Sequence, residues 1–182
     1  MKGNISSHEN SILSSEIILK VIKDNLPYND SLDVYFAYTH AFTTFSGRVG
    51  PIEQLKNTNL DLVTNDSLRL EIISMYDEAY PRLKSVELVI LRDYQQLRDF
   101  DRLYFDAYDN ERVSTNKSIE PPFWGIMHPI RFEELKTKPE YAALLRARIS
   151  NQKGLLRGHY NPIAQSLEKL IMHIDKEIKR LE

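Results

Sequence analysis

The stretch SLRLEIISMYDEAYPRLKSVELVILRDYQQL, residues 67–97, decides the fold. Leu68, Ile72, Met75, Tyr76, Ala79, Leu83, Val86, Ile90, Tyr94 and Leu97 recur at intervals of three and four. That period places them on one face of an α-helix. Asn65 or Asp66 stands where a side-chain oxygen can accept from the first free amides. The pattern predicts a helix over about 66–108, roughly 60 Å long at about 1.5 Å per residue. Pro81 lies inside it. A proline there lacks one amide and crowds the preceding turn, so a kink is expected over 78–81.

On the C-terminal side, 109–130 reads as loop. It ends in EPPFWGIMHPI, residues 120–130, which holds the one tryptophan and three of the eight prolines. A helical turn, RFEELKT, follows. Pro139 then opens a second long helix over about 139–181, with Leu144, Leu145, Ile149, Leu156, Ile163, Leu167, Leu170, Ile174, Ile178 and Leu181 as its stripe and Pro162 interrupting it. Pro81 lies 15 residues after Asp66, and Pro162 lies 20 residues before Glu182. In an antiparallel pair the two prolines fall within about five residues of the same height. Shared bending and two independent local breaks are both open.

On the N-terminal side, three shorter helices are expected. One covers about 4–26 and is ended by Pro27; an aromatic-rich one covers 31–45; a short one covers 51–57, after the break SGRVGP. Leu60, Leu62 and Val63 form a buried connector. No period-two strand pattern and no internal repeat is present. The expectation is therefore one all-α domain over 1–182, an up-down-up-down bundle with two long antiparallel, proline-kinked helices and a long crossover. The first two helices are too short to cover the long pair. Its far half becomes a two-helix stalk that needs a cover or a partner.

Composition fits this reading. The chain is 42% hydrophobic and 27% charged, with only six glycines, which favours helices. A formal net charge of −2 gives no field that favours nucleic acid. Without cysteine there is no thiolate metal site and no thiol catalysis. No apolar run approaches the roughly 20 residues of a membrane span, and MKGNISSHEN is polar from the start. No cofactor is implied.

The densest charged stretch is RDYQQLRDFDRLYFDAYDNER, residues 92–112. Asp99 and Asp101 point roughly 200° apart on a helix, so they do not form a carboxylate pair. Ion pairs with arginines three residues away, on a solvated face with aromatic packing, suit them better. His159 and His173 lie about 21 Å apart along one helix, and His8, His40 and His128 sit on separate elements, so no metal-ligand spacing is seen. No GxSxG, Walker-type loop or GxGxxG is present. Four N-x-S sequons occur, at Asn4, Asn29, Asn65 and Asn116. The candidates for ligand or partner contact are Phe123, Trp124, His128, Asp101 and Tyr104; none is assigned to catalysis. The crossover has two readings: a mobile aromatic flap, or a fixed crossover whose Phe123, Trp124, Ile126 and Met127 cover the stalk. The second predicts Trp124 buried against the long helices.

The run FSGRVGPIEQLKNTNLDLVTNDSLRLEIISMYDEAY, residues 45–80, resembles a segment of an uncharacterised bacterial family. The matching points are Phe45, Leu55, Leu60, Leu62, Asn65, Leu68, Arg69, Ile72 and Tyr76. Family members are short proteins anchored by one N-terminal transmembrane helix, with a helical domain outside the cytoplasm; Met75–Tyr76 stands where they often carry a tyrosine pair. The resemblance implies an extracytoplasmic location, with a cytoplasmic one as the alternative, and an anchor preceding MKGNISS. It transfers no activity. Three functions follow: a non-enzymatic sensor or scaffold whose long helices bind a protein partner or a second copy; a small-ligand-binding bundle; and an enzyme using 92–112. A closed, dry core with no pocket near Trp124 or Asp101 would exclude the last two.

Overall fold

The computed structural model describes residues 1–47, 50–59, 63–106, 109, 116 and 118–182. The elements are α1 (Lys2–Lys23), a 3-10 turn (Asp30–Leu32), α2 (Asp33–Thr39), α3 (Gly50–Asn59), α4 (Asp66–Ser74), α5 (Tyr80–Asp101), α6 (Phe132–Lys136), α7 (Pro139–Leu155) and α8 (Asn161–Leu181). Among the described residues there is no strand, only two isolated bridges, Phe105 with Pro129 and Asp109 with Ile126. The fold is all-α. The connector residues Leu60 and Leu62 lie outside the described residues.

The long pair is antiparallel, and side-chain contacts fix its register. Asn65 donates to Glu177, Glu71 meets His173, Tyr160 donates to Glu87, Asn151 donates to Asp93, and Phe100 stacks on Tyr141. Carried through the pair, this register sets Pro81 opposite Pro162. Each proline follows a π-helical turn, Met75–Ala79 and Leu156–Tyr160. In each, an amide bonds five residues back: Tyr80 N–H to the Met75 carbonyl, and Asn161 N–H to the Leu156 carbonyl. The extra residue widens the turn. It removes the clash between the proline ring and the carbonyl four residues earlier. It also resets the apolar face, so that the buried residues Met75 and Tyr80 are spaced by five rather than four. One insertion in each helix, at the same height, leaves both faces in step. The two turns share a groove of about 260 Å³ lined by Met75, Glu78 and Ala79 from one and Gly158, His159 and Pro162 from the other.

Helix α1 runs antiparallel to α7, from Asn4 beside Tyr160 to Ser11 beside Arg148. It ends earlier than Pro27 requires. Asn25 adopts φ 49°, and Leu26 N–H bonds to the Val21 carbonyl, which closes the helix. Asn65 caps α4 by accepting from Leu68 N–H, as expected.

Two expected helices are shorter than their apolar patterns. The second ends at Thr39 rather than Phe45, because side chains of other helices take its next backbone groups: Arg148 Nη2 donates to the Ala41 carbonyl at 2.5 Å, and Glu87 Oε1 accepts from Phe45 N–H at 2.7 Å. The helix through Pro81 ends at Asp101 rather than 108. Its following amides pair with the returning crossover, Asp106 N–H to the His128 carbonyl and Asp109 N–H to the Ile126 carbonyl.

The core divides in two. One cluster gathers Ile12 of α1, Leu68 and Ile72 of α4, Leu83 and Ile90 of α5, Leu155 of α7, and Tyr160 and Leu170 beyond it. The other gathers Ile18, Phe36, Leu97, Phe105, Phe132, Tyr141 and Leu145. The first is covered partly by Ile52 and Leu55 of α3 and by Val63. The crossover lies at the other end. Asn116 donates to the Ser31 carbonyl, Tyr38 OH to the Glu120 carbonyl, and Met127 N–H to the Asp33 carbonyl. Its described part is therefore fixed, but it covers the bundle beside α2 and not the stalk. On the stalk, Leu70, Ile171, Met172, Ile178 and Leu181 stay at least half exposed.

The π turns make a sharp prediction. Deleting exposed Gly158 returns the helix to α geometry and drives the Pro162 ring into a carbonyl, a loss of about 3 kcal/mol in urea unfolding. Adding Pro162→Ala to the deletion should recover most of it. If the deletion is neutral, the turn is not there to accommodate proline.

Candidate functional site

A polar layer separates the two apolar clusters. It is built from positions on the helices' inner faces: Ser11, Ser14 and Ser15 on α1 and Arg148 and Gln152 on α7, all buried, while buried His8 and Glu87 lie beside Tyr160 within the first cluster. Arg148 lies at its centre and is 1% exposed. Its Nε donates to Ser11 Oγ at 3.2 Å, its Nη2 to the Ala41 carbonyl, and its guanidinium lies 6.0 Å from the centre of the Tyr94 ring. Gln152, with its amide oxygen turned to the guanidinium, accepts from Arg148 Nη2 at 3.1 Å and donates to Ser11 Oγ and the His8 carbonyl.

Two buried acids stand on α5. Glu87 Oε1 accepts from Tyr160 OH at 2.5 Å, besides Phe45 N–H. Asp101, the last residue of α5, is 2% exposed, and its Oδ2 lies 2.5 Å from His40 Nε2. His40 caps α2 and is held edge-on to Tyr94. Burial pushes the Asp101 carboxyl up; the His40 hydrogen bond and charge, and then the Arg148 charge, pull it back. Asp101 Oδ1 and Tyr141 OH meet no hydrogen-bond partner among the described residues. Burial raises the Tyr141 phenol well above the ordinary range, and the Asp101 charge adds to it.

A cleft of about 310 Å³ is lined by His40, Arg98, Asp101, Arg102, Phe105, Asp106 and Met127. The buried His40–Asp101 pair belongs to its lining. Arg98 and Arg102, one helical turn apart, are exposed. Arg98 donates to Tyr94 OH at 3.1 Å; Arg102 pairs with Asp99 at 3.3 Å, an exposed contact of the kind expected for this stretch.

The five candidate residues divide. Asp101 lines the cleft, so it is not on a solvated face as the charged stretch suggests; it falls in phase with buried Ile90 and Leu97 on α5. Tyr104 is buried and stacks on Phe100. Phe123 is 93% exposed and touches Trp124 edge-on. Trp124 is half-buried, and its ring partner is Tyr38 of α2 rather than a long helix. Its expected burial is thus only partial, because the crossover packs at the bundle head. His128 joins a separate cluster: Tyr28 OH donates to Asp33 Oδ1 at 2.5 Å and lies 2.8 Å from His128 Nδ1. Desolvation and the Asp33 hydrogen bond raise the Tyr28 phenol, which suits a clamp on the crossover rather than a nucleophile.

His40, Arg148, Gln152, Glu87 and His8 are the residues that sequence reasoning missed. Their signal is present: Glu87, Tyr94 and Asp101 continue the Leu83, Ile90, Leu97 stripe, and Arg148 and Gln152 fall between Leu145 and Leu155 on theirs. Among the described residues no group of three or more His, Cys, Asp or Glu is arranged to hold a metal, and no helix is long and apolar enough to cross a membrane. No family model, no curated protein and no solved structure matches the chain.

His8 gives a pH prediction. It packs against the Tyr160 ring at 5.2 Å, and neither ring nitrogen meets a hydrogen-bond partner among the described residues. Burial, then the Arg148 charge, lowers it from 6.5 to about 4. The unfolded chain therefore takes up this proton at a higher pH than the folded one. Stability is full above pH 6.5 and falls as pH drops towards about 4, by about 3 kcal/mol in all. His8→Leu should lose that dependence: its stability relative to wild type should rise by about this amount over the same window in urea titrations. A constant difference would place the His8 ring in water.

Proposed function

We propose that the chain is a non-enzymatic helical sensor domain that binds a small polar ligand in the Asp101 cleft. The observation that carries this reading is the buried His40–Asp101 pair, within range of the Arg148 charge, in the lining of a surface cleft. Buried ionic groups are a weak source of stability, because desolvation offsets their attraction and apolar replacements are often neutral or better. A cleft above such a network is where a ligand gains most from preset charges. Binding is favoured over turnover because the polar groups hold one another: His40 engages Asp101, and Arg148 spans Ser11, Gln152 and the Ala41 carbonyl.

A thermal-shift screen of small polar metabolites tests this. A ligand at about 100 times its Kd adds about 2.7 kcal/mol, a rise of roughly 5–10 °C in Tm for a chain of this length. The rise should fall by about half in Asp101→Asn and in Arg98→Gln, whose exposed site spares the fold. A hit that stabilises both variants like wild type would put the ligand elsewhere.

The envelope location belongs to the same proposal and is supported by the resemblance of residues 45–80. The exposed apolar residues of the stalk support a protein partner or a second copy on the long pair. Cell fractionation of the native gene product should recover it with membranes, and light scattering should show a mass above one chain. Soluble recovery would remove the anchor, and a monomer at all concentrations would remove self-association.

A further inference from the structure

The cleft lining also indicates which class of molecule it takes, on the reading just proposed. Its charges are of both signs and nearly balanced: Arg98 and Arg102 against Asp101 and Asp106, with His40 hydrogen-bonded to Asp101. The signs differ in depth. The arginines are exposed and one turn apart on α5; Asp101 is buried, with Oδ2 engaged by His40 and Oδ1 receiving no hydrogen bond among the described residues. A simple anion would gain at the arginines and be repelled by two carboxylates. A simple cation would meet the reverse. The apolar part of the lining is Phe105 and Met127, both buried.

We infer that the ligand is a small zwitterion of the amino-acid type, its ammonium directed to Asp101 and its carboxylate to Arg98 and Arg102. The ammonium meets the negative part of the lining, exposed Asp106 and the charge of Asp101 beneath it, where low dielectric strengthens the attraction. The planar arginine fork matches a carboxylate. Arg98 is steadied by its bond to Tyr94 OH. Arg102 holds Asp99 only through an exposed pair, a contact weak enough to exchange for a ligand. Phe105 and Met127 face a short aliphatic side chain. A cleft of about 310 Å³ lies at the small end of ligand sites, roughly 300–1,000 Å³, which suits one amino acid.

Calorimetric titration of the full chain tests the inference with L-alanine, L-serine and L-leucine against sodium acetate, inorganic phosphate and propylamine. At least one amino acid should bind about tenfold or more tightly than the three single-charge probes. Asp101→Asn and Arg98→Gln should each weaken it about tenfold, the worth of one hydrogen bond to a charged group. Arg98→Gln keeps the test valid if Asp101→Asn does not fold. Acetate or phosphate binding as tightly, with loss in Arg98→Gln, would overturn the zwitterion while leaving the cleft a ligand site. A hit from the metabolite screen that lacks either charge would do the same. No binding by any probe and no hit from the screen would overturn both readings.

Discussion

Arg148 carries a positive charge into the middle of the bundle, and its neighbours are arranged to make that tolerable. Removing such an ion from water costs several kcal/mol unless its donors and charge are answered. Ser11 answers from α1, the Ala41 carbonyl from the end of α2, Tyr94 from α5, and Gln152 from its own helix. Asp101 supplies a counter-charge at longer range. One side chain thereby ties four passes of the chain together. It also sets where α2 stops, since the Ala41 carbonyl that a longer helix would bond internally is held by the guanidinium.

The layer around Arg148 also explains why the core is split. Apolar residues above and below belong to separate clusters, and the polar groups between them are shared among helices. Such a layer specifies which residues of neighbouring helices meet, because a slip by one turn would strand buried donors and acceptors. The π turns solve a different problem. Each accommodates a proline without an unanswered clash, and because Pro81 and Pro162 stand at one height, the face that each helix shows its partner is preserved along the whole pair.

Much of the architecture is legible from spacing. The two long helices, the cap at Asn65, the break before α3 and the matching height of the prolines all follow from residue period and identity. The π turns are hidden because Tyr76 and Ala79 keep a plausible three-to-four rhythm beside Met75, masking the five-residue step from Met75 to Tyr80 that the structure buries. The ends of α2 and α5 are overestimated for a tertiary reason: Phe42, Phe45 and the aromatic residues after Asp101 suit a helix, but their backbone groups are claimed by Arg148, Glu87 and the crossover. Of the site, only Asp101 stands out in the sequence, and its charged surroundings read as a solvated face. The useful sign is polarity at inward positions: Glu87 and Asp101 in phase with Leu83, Ile90 and Leu97, and Arg148 in phase with Leu145 and Leu155. The aromatic crossover draws attention by composition, yet its described part is a clamp held by Asp33, Tyr28 and Tyr38.

The proposed function rests on the Asp101 cleft being the place where the chain meets its ligand. The most direct measurement is a chemical-shift map recorded while the most stabilising small molecule is titrated into labelled protein. The largest shifts should fall at His40, Arg98, Asp101, Phe105 and Met127, with the groove between the π turns little affected. Shifts centred on that groove, or on Phe123 and Trp124, with Asp101 unmoved, would contradict it.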